Sequence, residues 1–177
     1  SYVIGYLYWQ DLKKIDQDLA AINWFRAAVI FNIISSLGTF YLAYMMATKT
    51  AVENLKLSSI YYYLHFQYNG WFFFACIGLL FSFLKLKKSD HPFYEQAFRL
   101  FAVACVPAYL LSLLWLKVPD WVYILAVIAA LIQVYAWLKL LLILIQTQKE
   151  FIKNFAPLLQ GILAFSYIAL SLKFILQ

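Results

Sequence analysis

One short stretch of the chain, YLHFQYNGWF over residues 63–72, places a histidine, two amides and a glycine inside an otherwise apolar run. The imidazole of His65 can ligate iron or copper, because it offers a neutral nitrogen and adds no unpaired charge. It can equally hydrogen-bond to a carbonyl or a tyrosine of a neighbouring helix. In hydrocarbon each unpartnered polar group costs several kcal/mol. These residues must therefore meet a partner, a ligand or a water-filled cavity.

Most of this polarity falls on one helical face. At 100° per residue, four polar side chains lie within about 60° of the His65 direction. They are Tyr61, Tyr62, Tyr68 and Asn69. We expect His65 to be the metal or haem ligand, Asn69 to orient its ring, and the tyrosines to line the pocket. The tyrosines also suit the aromatic belt of a membrane interface.

The elements that must position these side chains are apolar helices. Of the 177 residues, 66% are hydrophobic and 12% charged, whereas a soluble domain has about 45–50% apolar and about 25% charged residues. Apolar runs cover residues 22–47, 58–84, 93–116, 121–145 and 155–176. Each is near the roughly 20 residues that cross a bilayer. We predict an all-α, polytopic transmembrane helical bundle with five full spans, forming one domain over residues 1–177.

Both ends of the sequence resemble interrupted helices. The opening SYVIGYLYWQDLKK is typical of the last turns of a spanning helix followed by a polar stop, and it is too short to cross a bilayer core of about 30 Å. The closing SYIALSLKFILQ carries no cap or polar tail. No signal-peptide layout is present. We therefore expect an N-terminal partial helix and an internal piece of a larger membrane protein.

The basic residues indicate topology rather than nucleic-acid binding. The net charge is +6, but the basic residues sit in short loops between apolar runs. Nine of them fall on one side of the predicted membrane and three on the other. The positive-inside rule then predicts that residues 85–92 are cytoplasmic, in a bacterial inner (plasma) membrane, and that His65 lies under the outer face. The lipid bilayer is the expected partner, with no role for nucleic acid.

Few charges lie inside the apolar runs. Acidic residues are almost absent from them, which argues against ion-coupled transport through buried carboxylates. Lys139 and Lys173 are the charges closest to hydrocarbon. Lys139 can reach the membrane surface by extending its stem, and a role in gating or headgroup binding is the alternative. Cys76 and Cys105 have no CxxC spacing and are expected to pack as small hydrophobes.

Two features concern helix packing. The segment NIISSLGTF places small and hydroxyl-bearing residues on one stripe, and such residues let helices approach closely in lipid. They are Asn32, Ser35, Ser36, Gly38 and Thr39. Pro107 lies inside the third apolar run, where the missing N–H and the ring predict a kink.

The stretch YYYLHFQYNGWFFF resembles the helix of haem-copper oxidase and nitric-oxide reductase catalytic subunits that supplies the first histidine to the metal beside the active-site haem. In the reductases an acidic residue and a glycine follow that histidine; here Asn69 and Gly70 hold those places. The preceding FNIISSLGTFYLAYMMATK is similar to membrane proteins related to this superfamily. The resemblance implies a respiratory-chain, electron-transfer protein of oxidoreductase type, with haem or a non-haem copper or iron at His65.

The paired histidines that the superfamily carries on the next helix are absent from FRLFAVACVPAYLLSLLW. Further ligands would then come from other helices of the parent chain or from a redox subunit, so enzymatic activity stays undecided. The alternative is a non-enzymatic membrane protein that binds a small solute or quinone, or serves as a structural subunit. In that protein His65 is an interhelical hydrogen-bonder.

Overall fold

A computed structural model describes residues 2–50 and 52–176 of the chain. It is all-helical, with 82% of the residues in helices and no strand among the described residues. The α-helices are α1 (Tyr2–Leu12), α2 (Ala21–Ala47), α3 (Glu53–His65), α4 (Phe73–Phe83), α5 (Phe93–Ala108), α6 (Asp120–Lys153) and α7 (Pro157–Leu176). A π-helical segment, Phe66–Phe72, joins α3 to α4, and a 3₁₀ turn, Tyr109–Leu113, continues α5.

Five helices are long and apolar enough to cross a membrane, which confirms that part of the predicted architecture. The second of them runs continuously from Glu53 through the π-helical segment to Phe83. It begins five residues before the predicted apolar run, because polar residues such as Glu53 and Lys56 extend a helix beyond its hydrophobic part. The shorter α1, of 11 residues, packs on α2 through the rings of Tyr8 and Phe25.

Two helices end in the same way. Lys49 and Lys85 adopt the left-handed conformation, with φ of 55° and 50°. The N–H groups of the residues that follow, Thr50 and Leu86, donate to carbonyls five residues back, at 3.1 and 3.0 Å. This is the Schellman arrangement that satisfies free carbonyls at a helix end. The turns after α2 and α4 are therefore closed by the backbone although neither contains glycine.

The loops alternate between the two ends of the bundle as the predicted topology requires. The loop before α2 pairs with the loop after α4, where the N–H of Ala20 donates to Leu86 at 2.9 Å and that of Lys88 donates to Asp18 at 2.8 Å. The rings of Phe83 and Phe155 meet at this same end. The rings of Tyr61 and Trp115 meet nearer the other end. Residues 13–20, 84–92 and 154–156 therefore share one end.

The centre of the bundle is an aromatic cluster around Trp24 of α2, which is fully buried. Five phenylalanine rings lie with their centroids 5.2–6.2 Å from the Trp24 ring. They are Phe73, Phe74 and Phe81 of α4, and Phe98 and Phe101 of α5. We call these six residues the Trp24 cluster. The close packing of these rings in tilted and edge-on pairs holds α2, α4 and α5 together.

The stripe of small residues on α2 meets α3, as predicted. A Cβ at Gly38 would lie 2.7 Å from the carbonyl oxygen of Ser59 and 3.0 Å from the backbone nitrogen of Tyr63. No side chain fits between these two backbones, so glycine is required for the close approach. Ser35 donates to Gln67 Oε1 at 2.8 Å. The interpretation of this stripe as a helix-packing surface is confirmed for Ser35 and Gly38, whereas Thr39 is exposed.

Candidate functional site

The residues singled out from the sequence lie on or directly before a backbone irregularity. The π-helical segment covers Phe66–Phe72, and π-helical turns occur mostly as short interruptions of α-helices, often at functional sites. At its end the N–H of Phe73 is directed to the carbonyls of Tyr68 and Gly70 rather than to that of Asn69. The carbonyl of Asn69 is thereby left open to another donor.

A second irregularity lies opposite, on α5. Pro107 has no N–H and α5 gives way to the 3₁₀ turn at Tyr109, two residues later. The N–H of Tyr109 is directed to the carbonyls of Val106 and Pro107, not to that of Cys105 four residues back. The sequence predicts a kink at Pro107; the structure shows a change of helix type two residues later, and the 3₁₀ turn leaves the carbonyl of Cys105 open to another donor.

Three residues satisfy these two carbonyls through a cycle of hydrogen bonds. Asn69 Nδ2 lies 3.2 Å from His65 Nδ1. His65 Nε2 lies 2.9 Å from the carbonyl oxygen of Cys105. Cys105 Sγ lies 3.6 Å from the carbonyl oxygen of Asn69, to which it donates. We call these three residues the His65 cycle. It ties the π-helical segment to α5 and uses both of the carbonyls that the irregular turns release.

The cycle determines the protonation of the imidazole. A carbonyl oxygen can only accept a hydrogen bond, so Nε2 of His65 carries the proton and donates it to Cys105. Nδ1 then accepts from the amide of Asn69. His65 is 5% exposed, and both ring nitrogens are engaged. The predicted role of Asn69 as the group that orients the imidazole agrees with this geometry.

A polar cavity of about 200 Å³ lies against the cycle. Its walls come from the end of α3, the π-helical segment, α5 with its 3₁₀ turn, α6 and α7. They are formed by His65, Asn69, Ala108, Leu111, Ser112, Gln133 and Lys173. Gln133 is 13 residues beyond Asp120, where α6 begins, or about 20 Å along the helix axis. The polar cavity therefore lies well inside the apolar part of the bundle.

Lys173 brings a positive charge to this depth. Its Nζ lies 4.6 Å from the ring centroid of Phe174 and 5.3 Å from that of Phe73. No acidic residue is among the residues that line the polar cavity. The two ion pairs that the described residues form, Lys14–Asp11 and Arg99–Glu95, lie elsewhere. Aromatic faces therefore hold the ammonium, and the described residues that line the cavity place no carboxylate opposite it.

The predicted tyrosines do not surround His65. Tyr61 is 40% exposed and packs on Trp115. Tyr62 packs on Phe66, with ring centroids 4.7 Å apart. Tyr68 is 62% exposed and faces a groove outside the polar cavity. The tyrosine that does meet the imidazole is Tyr109, whose ring centroid lies 5.8 Å from that of His65 and whose hydroxyl donates to Ser58.

An apolar groove of about 440 Å³ runs beside α7 and adjoins the polar cavity. Its walls are formed by Tyr68, Asn69, Phe72, Phe73, Cys76, Phe165, Ser166, Ala169, Leu170 and Lys173. We call it the α7 groove. Asn69 and Lys173 line both the groove and the polar cavity. A single molecule could therefore place a polar end at these two residues and an apolar part along α7.

Sequence reasoning missed Ser112, Tyr109 and Gln133 as site residues. Gln133 carried a signal, since it is the one amide within the apolar run 121–145. Lys173 was recognised as a charge near hydrocarbon but was not connected with His65. Sequence position gives no hint of that connection, because α7 follows His65 by about 90 residues.

The residues present do not by themselves fit a haem or metal centre. Among the described residues no group of three or more histidine, cysteine, aspartate or glutamate side chains could hold a metal ion. Both nitrogens of His65 are hydrogen-bonded, so a metal would have to displace Asn69 or Cys105. Comparison of the chain with protein-family models, with curated proteins and with solved structures finds no match in any of the three. The resemblance to the oxidase and reductase subunits therefore stays a prediction.

Proposed function

We propose that this chain is an integral membrane protein that binds a small molecule in the polar cavity, and that His65 acts as an interhelical hydrogen-bonder. The observation that carries the proposal is the His65 cycle. It occupies both imidazole nitrogens and so favours a structural role for the ring. The neighbouring cavity, in contrast, offers hydrogen-bonding groups to a ligand.

The chemistry of the cavity supports a small ligand with hydrogen-bond acceptors. Ligand sites are mostly apolar, with a few convergent polar groups that orient the ligand. Here the residues that line the cavity include the amides Asn69 and Gln133, the hydroxyl-bearing Ser112 and Lys173. A carbonyl, a quinone oxygen or a carboxylate suits these donors. Ionisable residues at membrane depth are costly and mark functional sites.

Haem or metal binding for electron transfer is the second candidate. It draws on the resemblance of residues 61–74 to the oxidase and reductase helix and on the position of His65 in the cavity wall. It requires rotation of the imidazole away from Cys105, and ligands from outside these residues. The candidate predicts a coloured protein whose absorption depends on His65.

One experiment separates the two candidates. The full chain is purified in mild detergent, its visible spectrum and its iron and copper content are measured, and co-purifying small molecules are identified by native mass spectrometry. We expect no Soret band and no stoichiometric metal, and a bound small molecule that Gln133→Leu removes. Gln146→Leu, which alters an exposed amide on the same helix, is the control and should retain it.

The opposite result would replace the first candidate with the second. A Soret band that disappears in His65→Ala, together with iron or copper near one equivalent, would establish His65 as a ligand. A colourless protein that carries no small molecule, and on which Gln133→Leu has no effect, would leave only the structural-subunit alternative.

We also propose that the protein lies in a bacterial inner membrane with residues 85–92 in the cytoplasm. The distribution of nine basic residues against three supports this orientation. In a Cys76→Ser background, Ser89→Cys should resist a membrane-impermeant maleimide added to whole cells. Thr50→Cys, at the other end of the bundle, should react. The reverse pattern would invert the topology.

A further inference from the structure

We propose, on the basis of the small-molecule site proposed above, that the ligand is a long-chain carboxylic acid. Its carboxylate would pair with Lys173 in the polar cavity, and its apolar chain would lie in the α7 groove. The ligand has an anionic head and a single apolar tail, and three features of the site support this assignment.

The first feature is charge. Lys173 is partly buried at the depth of the polar cavity, and the described residues that line the cavity and the α7 groove contain no carboxylate. Its cation–π contacts are with the ring faces of Phe73 and Phe174. Cation–π contacts offset only part of the cost of removing an ammonium from water. An anionic ligand would supply the missing counter-charge.

The second feature is the set of donors around the ammonium. Asn69 of the π-helical segment, Ser112 of the 3₁₀ turn and Gln133 of α6 line the cavity together with Lys173. Amide and hydroxyl groups can donate to the second oxygen and the remaining lone pairs of a carboxylate, which accepts about four hydrogen bonds. Charge-assisted hydrogen bonds of this kind are the shorter and stronger ones.

The third feature is the continuity of the two spaces. The polar cavity of about 200 Å³ suits a head group rather than a whole amphiphile, and the α7 groove of about 440 Å³ begins at the same two residues, Asn69 and Lys173. The groove walls beyond them are mostly apolar, with Phe72, Phe165 and Leu170 among them. Much of α7 is exposed along its length, so a chain could enter sideways from the bilayer.

The test uses the full chain in phosphatidylcholine nanodiscs and a palmitic acid that carries a photoactivatable diazirine in its chain. After illumination, the labelled peptide is mapped by mass spectrometry, and labelling is competed with palmitate. We expect the label on the walls of the α7 groove, around Phe165 and Ala169. Lys173→Gln should lower palmitate affinity about tenfold or more, a ratio that corresponds to about 1.4 kcal/mol, and Lys173→Arg should restore most of it.

Matched variants control for the charge and for the groove. Lys139→Gln removes an exposed lysine that also lies over aromatic rings, those of Phe93 and Tyr135, and should leave the affinity unchanged. Ala169→Phe fills the α7 groove and should reduce labelling. Ala164→Phe makes the same change on the other side of α7 and should not.

Each other outcome would overturn the proposal. Equal palmitate affinity in Lys173→Gln and wild type would exclude Lys173 as the site of the carboxylate. Label confined to the side of α7 that carries Ala164 would exclude the α7 groove as the site of the chain. Competition by decylubiquinone or by dioleoyl phosphatidic acid but not by palmitate would assign the site to a quinone or a phospholipid and would leave small-molecule binding intact. If none of the three compounds binds, the long-chain acid is excluded, and the co-purified molecule that Gln133→Leu removes then decides whether the proposed function stands.

Discussion

Two regions of this bundle hold their helices together by different kinds of contact. In the Trp24 cluster, aromatic rings pack against one another and even tolerate an indole Nε1 that has no hydrogen-bond partner among the described residues. In the His65 cycle, each polar group meets another, and the backbone leaves regular α-helical geometry on both sides to make this possible. One region is stabilised by shape, the other by hydrogen bonds.

The difference distinguishes the region in which we propose the binding site. A region that depends on shape alone has no reason to interrupt its helices, and α4 and the first turns of α5 are regular. The His65 cycle joins the π-helical segment to Cys105 of α5, four residues before the 3₁₀ turn begins, and irregular turns of both kinds release carbonyls that must be satisfied. The polar cavity opens beside this region. Three substitutions test the contrast, from the largest expected effect to the smallest.

Truncation of the Trp24 cluster should have the largest effect on stability. Trp24→Ala removes a fully buried ring that contacts five others, and large-to-small changes of this kind cost about 3–5 kcal/mol. The measurement is the free energy of unfolding from a reversible detergent titration. Trp121→Ala, which truncates a tryptophan that is 63% exposed, is the control. A loss of similar size in both variants would mean that the cluster is not a special source of stability.

Opening the His65 cycle should have an intermediate effect. His65→Ala leaves the carbonyl of Cys105 and the amide of Asn69 without their partners, and an unsatisfied buried group costs about 1–3 kcal/mol. Thermal unfolding of the purified protein should show the lower Tm. His65→Gln, which can donate to one partner, should fall between this variant and wild type. A neutral result for His65→Ala would show that the imidazole is not the centre of the polar region.

Of the three substitutions, removal of the Cys105 thiol should lower the free energy of unfolding least. Its S–H is a weak donor, and its bond to Asn69 is the longest in the cycle. Cys105→Ala should therefore cost about 1 kcal/mol or less, measured by the same titration. Cys76→Ala, at an exposed cysteine, should be neutral. A loss of unfolding free energy in Cys105→Ala as large as that in His65→Ala would show that the stability of the cycle depends on the thiol as much as on the imidazole.

Periodicity identified part of the candidate site correctly. His65 and Asn69 are four residues apart, and they meet although a π-helical segment begins between them. Tyr61 and Tyr68 were placed on the same face by the assumption of 100° per residue. The π-helical turn changes that rotation, and Tyr68 is exposed as a result. A change of helix type over the seven residues Phe66–Phe72 is too local to be visible in a hydrophobic pattern.

The sequence by itself determined the helices, because long apolar runs and the polar loops between them depend only on local composition. It also determined the close approach at Gly38, since a small residue permits what a side chain forbids. Only the tertiary structure decided that Cys105 would offer its carbonyl to His65 and that Lys173 and Gln133 would face the same cavity. Those meetings depend on the rotation and spacing of packed helices, which are set by contacts between residues far apart in the chain.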